Sequence, residues 1–590
     1  MVASPFTLSR RTYVSLCLLI AVVHLGLLWH AAERYSAAHD EGPHLAAGLK
    51  FWRTGKSDWY VVNPPLVRNL ASLAAVRHDL ILDWPDYDTV PRLRPEYLYG
   101  HNLLDLNRDR AWAALIDARR VSVVWSVTGL LLCGVVALRA AGPIAGVVAQ
   151  VLWCFCPMMI GHGALIVPDV AAATGLLIGC LGFARWLRRR NFDAAMVMGA
   201  TTATALLIKN TLFVLPIVFL VLWLTWRWSA NLKSPKFLLR EAGQVGVAIF
   251  LCVFLINLVF GFHGSFVPLG DYEFVSDLLG TADRPSRGDT GNVFLGTPLA
   301  NVPVPLPMDY VLGFDVQRID FVDRRLMFYL LGEWSREGWW HYYLVGWLSK
   351  TPVAMLVLAT IGGVMTLVRR GPLRSVEFVS VATACLTIFL LVSSQTGLNQ
   401  HTRYVIPTFP LMFILGGIAV ASCRTAWARW IAGGLVAMVV GVSIAAYPYC
   451  ISFFNLAVGG SAAADRILLQ TNLDYGQDMA FIADWAEDHP QARPLHLSLY
   501  GRRIPPSMYG VDFSSLEVSL EPRNGKVLAF ESFQAGTYVV SVMNLRWPGS
   551  IYDRVLRDPP PDDFIGGAYR VYHVSVAETA ELNERLRQMR

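Results

Sequence analysis

Apolar stretches long enough to cross a hydrocarbon core alternate with polar connections from the start of the chain to about residue 447, and the pattern predicts about eleven transmembrane helices. Their expected limits are Thr12 to Ala32, Val121 to Ala140, Pro143 to Ile160, Val170 to Leu187, Ala194 to Ile208, Thr211 to Trp228, Ala242 to Phe262, Tyr342 to Val368, Val376 to Ser394, Tyr404 to Ala421 and Trp427 to Tyr447. The polar connections differ in character. Arg10-Arg11, Arg139, Arg188-Arg189-Arg190, Arg227 with Lys233, Lys236 and Arg240, Arg369-Arg370 with Arg374, and Arg424 with Arg429 fall in alternate connections. The positive-inside rule makes those connections and the N-terminus cytoplasmic. The other set then faces outward: a long first loop (33–120), the GHGALIVPD turn, Lys209-Asn210, a second long loop (263–341), the TGLNQHTR turn and everything after Tyr449.

Past Tyr449 the pattern changes. LHLSLYG, KVLAFES, TYVVSVMNL and YRVYHVSV read as strands between Pro, Gly and Asp turns, and AETAELNERLRQMR reads as a closing helix. The expected fold class is therefore a polytopic α-helical membrane domain (1–449) followed by a small extracytoplasmic α/β domain (450–590).

Composition agrees with that reading. The chain is 54% hydrophobic and 16% charged, with a mean hydropathy of +0.43, which excludes a soluble multidomain protein. The net charge of +6 sits in the cytoplasmic connections and implies no nucleic-acid partner. Nearly all nine cysteines lie inside apolar runs, so they read as small buried hydrophobes and form neither a disulfide framework nor a zinc site. Thr12 to Ala32 reads as a retained anchor rather than a cleaved signal. No internal repeat suggests an inverted-repeat transporter.

The candidate chemistry collects on the outer side, where no nucleotide pool exists. A transferase there needs a substrate delivered through the lipid, such as a polyprenyl-phosphate sugar, with a base for the acceptor hydroxyl and cations for the phosphate left behind. Asp40 is the candidate base because it follows the first span directly, with Glu41 as its catalytic understudy; a helix start alone also favours such acids. His44, Leu45, Gly48, Leu49 and Trp52 then fall at helical spacing, predicting an interfacial amphipathic helix that breaks at Thr54-Gly55. Asn63-Pro64-Pro65-Leu66 predicts extended backbone. Asp169 is a lone acid at the outer end of a span, either an active-site carboxylate or a helix cap. Lys209 and Arg403, with His401 and Tyr404 beside the latter, put cations at outer span ends. The aromatic cluster GEWSREGWWHYY reads as an interface belt or a sugar-stacking wall. No P-loop, HExxH motif or nucleophile elbow is found on this face.

The acidic pair, the Pro-Pro-Leu, the lone Asp169, LLIKNTLFVLP and RYVIPTFP together resemble the GT-C membrane glycosyltransferases, and more narrowly the relatives of protein O-mannosyltransferases and the lipid A aminoarabinose transferase. PVPLPMDYVLG, WWHYYLVGWLSKTP, YCISFFNLAVGG and TNLDYGQDMAFIADW resemble a bacterial subgroup of phospholipid-carrier-dependent glycosyltransferases of the family 39 type. The similarity spans about residues 10 to 490. It implies Asp40 as catalytic acid/base, Asp169 as a second active-site carboxylate, and Lys209 with Arg403 or Tyr404 near the donor phosphate. His44, Asn63 and His401 are candidate substrate contacts read from their place beside these residues. Two departures concern the donor pocket. Gly42-Pro43-His44 stands where the aminoarabinose transferase pattern has an arginine, and Val62-Asn63 where it has an acid and a lysine. Some family members use a divalent metal ion, so a metal is left open.

The expected function is an inverting transfer of a sugar from a polyprenyl-phosphate donor to a protein, lipid or glycan acceptor at the outer face of a bacterial plasma membrane. A flippase or transporter of lipid-linked substrates, or a non-catalytic envelope assembly protein, are the alternatives.

Overall fold

In this computed structural model the described residues are 8–82, 94–229, 235–280, 290–322, 327–499, 509, 511, 514–515, 532–548, 550–552, 556 and 560–588. Among them, eight helices are long and apolar enough to cross a membrane: Arg10–Arg34, Asp109–Ala141, Pro168–Arg189, Asn210–Trp228, Leu238–Val259, Val376–Ser393, Thr402–Ala421 and Ala426–Ala446. Two further apolar runs are bent. Pro143–Cys154 continues as Pro157–Gly163 at 59°, and Tyr342–Ser349 as Val353–Arg369 at 112°.

Counting each bent run as one span gives up to ten, against the about eleven expected, and the differences have local reasons. Pro157 and Pro352 cannot donate the backbone hydrogen bond that would carry a helix through the break. At the second bend, Lys350 donates to the carbonyls of Ile451 (2.8 Å), Phe453 (3.3 Å) and Asn472 (2.6 Å), so the turn is fastened to the chain that follows the last span. The expected span from Ala194 to Ile208 is the 15-residue helix Phe192–Leu206, about 22 Å long, which is short of a hydrocarbon core of about 30 Å.

Helix packing follows the small residues. A Cβ on Gly362 would stand 1.8 Å from the Leu415 carbonyl oxygen, and one on Gly417 would stand 2.4 Å from that of Ala145. Phe409–Ala421 therefore touches Val353–Arg369 on one side and Pro143–Cys154 on the other, backbone against backbone. Trp153 and Trp186 fill the interior, and Trp153 donates its indole N–H to Ser126 (3.1 Å).

The first long loop is a folded layer. Helix Glu41–Thr54 ends at Gly55, whose φ of +74° supplies the left-handed cap that the sequence pattern marks. The expectation of an interfacial amphipathic helix needs correction, because Glu41 through Leu49 are all buried. Helix Leu66–Leu73 covers one side, with its Arg68 carbonyl 2.8 Å from where a Gly48 Cβ would lie, and Glu96–Asn107 covers another through Gly100.

In the second long loop, helix Met308–Val322 is followed by the antiparallel hairpin β1 (Phe328–Leu330) and β2 (Glu333–Ser335). Asp309, in the first turn of that helix, is raised to about 6 by burial and by Asp58, against Lys50, His263 and Arg68. An unfolded aspartate titrates near about 4. As pH rises from about 4 to 6 the unfolded chain gives up this proton before the folded one does, so stability falls through that window and the cost persists above it. Asp309→Asn is expected to raise Tm at pH 8, by the equivalent of about 3 kcal/mol, and to leave it nearly unchanged at pH 4. Thermal unfolding at both pH values checks this, and equal shifts at the two would contradict it.

The C-terminal region holds a five-stranded sheet in the order β4-β3-β5-β7-β6, formed by β3 (Leu495–Ser498), β4 (Ser514–Ser515), β5 (Gly536–Ser541), β6 (Asp563–Ile565) and β7 (Tyr569–Val574). β3 is parallel to β4 and β5, and the remaining pairs are antiparallel. The expected strand TYVVSVMNL stops at Ser541, whose hydroxyl caps Met543 and starts a helix, Val542–Arg546. KVLAFES lies outside the described residues except for Ser532. The closing helix Val576–Gln588 opens on a reciprocal cap between Ser575 and Glu578 (2.8 and 3.2 Å). Residues 450–478 are not in the sheet. Cys450, Ile451, Leu468, Leu469, Leu473 and Tyr475 pack into the transmembrane core instead.

Candidate active site

Four span ends meet on the side opposite the arginine-rich connections. Helix Arg10–Arg34 ends there, and Pro168–Arg189, Asn210–Trp228 and Thr402–Ala421 begin there. Asp40 sits at the N-cap position of Glu41–Thr54 with backbone angles of −89° and −8°, and its side chain makes no capping hydrogen bond. The carboxylate turns instead toward the span ends. Arg403 Nη2 donates to Asp40 Oδ2 at 2.7 Å, the Tyr475 hydroxyl to the same oxygen at 2.7 Å, and the Tyr97 hydroxyl to Oδ1 at 3.1 Å. Burial favours the neutral acid, yet the Arg403 guanidinium, with His39, His44 and His401 around it, holds Asp40 well below the usual carboxylate range.

Asp169 occupies the first turn of Pro168–Arg189, where the N-cap residue is Val167, and a negative charge there is favoured by the helix dipole. It is paired with Lys209, and Arg403 Nε lies 3.8 Å from its other oxygen. The Lys209 ammonium sits 4.9 Å over the Tyr404 ring, and the Arg403 guanidinium 4.3 Å over the Tyr475 ring. Asp40, Asp169, Lys209 and Arg403 thus form one buried cluster of two carboxylates and two cations, each at most 7% exposed. One part of it is unsatisfied: Arg403 Nε and Nη1 are buried without a hydrogen-bond partner. Nε and Nη1 point to opposite sides of the guanidinium, so each is free to donate to an oxygen of a bound oxyanion beside the carboxylate.

His401, at the edge of the cluster, meets Thr471 Oγ1 through Nδ1 (2.5 Å) and packs edge-on to Tyr404 (5.2 Å). His44 and Asn63 lie one layer away. The His44 ring stacks on Tyr60 at 4.4 Å, and Asn63 Nδ2 donates to the Tyr60 hydroxyl at 3.3 Å.

Glu41 belongs to a separate, fully buried network. Arg119 Nε donates to its Oε1 at 2.8 Å and Nη2 reaches Oε2; the Ile166 N–H (3.1 Å) and the Ala38 N–H (2.8 Å) complete both oxygens. Arg119 also donates to the carbonyls of Ala32, Tyr35 and Ser36 (2.7, 2.7 and 2.8 Å). With every polar atom engaged, this pair braces the end of the first span against Asp109–Ala141 and does not face the cluster.

Sequence reasoning missed Tyr475, Tyr97, Tyr60 and Arg68. Tyr475 stands in TNLDYGQDM, a motif the sequence singles out without assigning it a role. A backbone exchange delivers it: His39 N–H donates to the Tyr475 carbonyl (2.8 Å) and Ser36 N–H to that of Gln477 (3.1 Å). Gly476 sits between them with φ +96°, where a Cβ would lie 3.0 Å from the Ala37 carbonyl oxygen. Asn472 fastens the loop from the other side, accepting from the Thr402 N–H (2.9 Å) and hydroxyl (2.7 Å). Tyr475→Phe removes one hydrogen bond to an ionised group, so stability is expected to fall by about 1.5–3 kcal/mol. Thermal unfolding checks this, and an unchanged Tm would show that the hydroxyl does not hold Asp40.

Among the described residues no group of three or more His, Cys, Asp or Glu is placed to hold a metal, and Asp40 and Asp169 each already face a cation.

No protein-family model and no curated protein sequence matches the chain. Solved structures are similar to it. ArnT from Cupriavidus metallidurans bound to undecaprenyl phosphate superposes with a TM-score of 0.46 at 12% identity, covering 95% of this chain and 98% of that one. The oligosaccharyltransferase AglB from Archaeoglobus fulgidus, in complex with an inhibitory peptide and a dolichol-phosphate, gives 0.46 at 11% identity, over 73% of this chain and 55% of that one. The S. cerevisiae protein O-mannosyltransferase Pmt1-Pmt2 complex bound to the sugar donor gives 0.46 at 10%, over 74% and 89%.

Proposed function

We propose that this multi-pass membrane protein is a glycosyltransferase that moves a sugar from a polyprenyl-phosphate carrier to an acceptor hydroxyl on the outer face of a bacterial plasma membrane, with inversion at the anomeric carbon. The observation that carries the reading is the juxtaposition of the Asp40 carboxylate with two unpartnered Arg403 donors. The acceptor oxygen attacks the anomeric carbon, its proton passes to Asp40, and the bond from that carbon to the phosphate oxygen breaks with its electron pair leaving on the phosphate.

Asp40 held by Arg403 is a weak base. A phosphodiester that draws the guanidinium toward itself relaxes that hold, so the base gains strength only when donor is bound. Lys209 and Asp169 keep Arg403 within reach of both positions. The arginine-rich connections at the opposite span ends support an outward-facing site, with the N-terminus cytoplasmic and the C-terminal sheet extracytoplasmic.

Proteoliposomes containing the purified protein, with radiolabelled polyprenyl-phosphate sugar on both faces and acceptor outside, test the proposal. Labelled product and free polyprenyl phosphate are expected in equal amounts. Donor recovered uncleaved, with no labelled product, would overturn it. In the same assay Lys209→Ala is expected to raise the donor KM about tenfold or more by unpairing Asp169 beside the phosphate, and an unchanged KM would count against its role.

A further inference from the structure

Arg68, in the first long loop, is a buried cation without a counter-ion. It is 2% exposed, and among the described residues Nη1 donates to the Asn63 carbonyl (2.6 Å) while Nε has no partner. Glu96 and Asp309 are the carboxylates whose fields reach it, but Glu96 is taken by Arg94, and neither forms an ion pair with Arg68 among the described residues. Burial lowers its guanidinium to about 10, which leaves it charged at neutral pH. A buried unpaired guanidinium is costly, and chains keep such groups where a ligand supplies the missing charge.

Its surroundings face the candidate active site. The guanidinium lies 5.3 Å over the Tyr60 ring, and His44 stacks on the same ring. His44 is lowered to about 3 by burial and then by Arg68, so it is neutral, and the charges of Asp40, Asp169 and Arg403 reach it as well. His44 Nδ1 also lacks a partner. In the cluster the two cations are already offset by two carboxylates, so a bound anion finds hydrogen bonds there but no net charge.

We infer that Arg68, with His44 and Tyr60, is a subsite for one oxyanion of the substrate, and that it supplies the positive charge the catalytic cluster lacks. The carrier phosphodiester and a carboxylate on the transferred sugar share this chemistry. The identification of the substrate rests on the transferase reading above.

The test uses full-length protein in nanodiscs, wild type against Arg68→Met, with undecaprenyl phosphate and glucuronate as separate probes. Arg68→Met is expected to weaken binding of one probe at least tenfold, and the probe affected names the source of the anion. It is also expected to hold or raise the Tm of the ligand-free protein, because an unpaired buried charge is removed. A lower Tm, or failure to fold, would make Arg68 a structural residue and overturn the inference; so would unchanged affinity for both probes. Arg68-dependent binding of undecaprenyl phosphate by a protein that transfers no sugar would defeat the transferase reading and leave the subsite standing.

Discussion

Asp40→Asn is expected to lower sugar transfer by about a thousandfold while the protein inserts, folds and binds donor. The asparagine keeps the shape of the side chain, and its one oxygen can still accept from Tyr475 or from Tyr97. It cannot take a proton from the acceptor. It also frees Arg403, so donor affinity is expected to hold or rise even as turnover collapses. Turnover and donor binding measured on the same preparation separate the two effects. Transfer at the wild-type rate would remove Asp40 as the base, and loss of Tm along with activity would make it a structural residue.

The neighbouring acid has the opposite consequence. Glu41→Gln leaves Arg119 charged, fully buried and without its carboxylate, and breaking a buried pair in this way costs about 3–5 kcal/mol. Three carbonyls still accept from Arg119, but they bring no negative charge. The expected result is poor recovery of folded protein and a Tm lowered by several degrees, with any protein that does fold retaining turnover. Size-exclusion profiles and thermal unfolding of Glu41→Gln beside Asp40→Asn read this directly. A Glu41→Gln protein of native Tm and no activity would move Glu41 into the chemistry.

Adjacent residues with such different fates mark where sequence reading ends. The hydrophobic pattern located the helices, because span length and basic flanks are local properties. It missed the bends at Pro157 and Lys350, since mean hydropathy runs on through a kink. It placed Asp40, Asp169, Lys209 and Arg403 on one side, and the fold joins them in one cluster. It took Asp40 as the base and Glu41 as its helper, and missed that Glu41 braces a helix, because that depends on which arginine each acid meets. Arg403 lies 363 positions from Asp40 and Arg119 lies 78 from Glu41, and neither pairing leaves a local trace. Tyr475, 435 positions from Asp40, needs the chain after the last span to fold back between the helix ends. Arg68 sits in LVRNL, a sequence typical of an ordinary helix surface, and only its burial reveals it.

The central claim is that the donor phosphate docks against Arg403 beside Asp40. A density map of the protein with bound polyprenyl phosphate tests it most directly. The account predicts phosphate oxygens within about 3 Å of Arg403 Nη1 or Nε, with the Asp40 carboxylate facing the position of the anomeric carbon. A phosphate held elsewhere, with Arg403 still paired to Asp40 and its remaining donors idle, would contradict it.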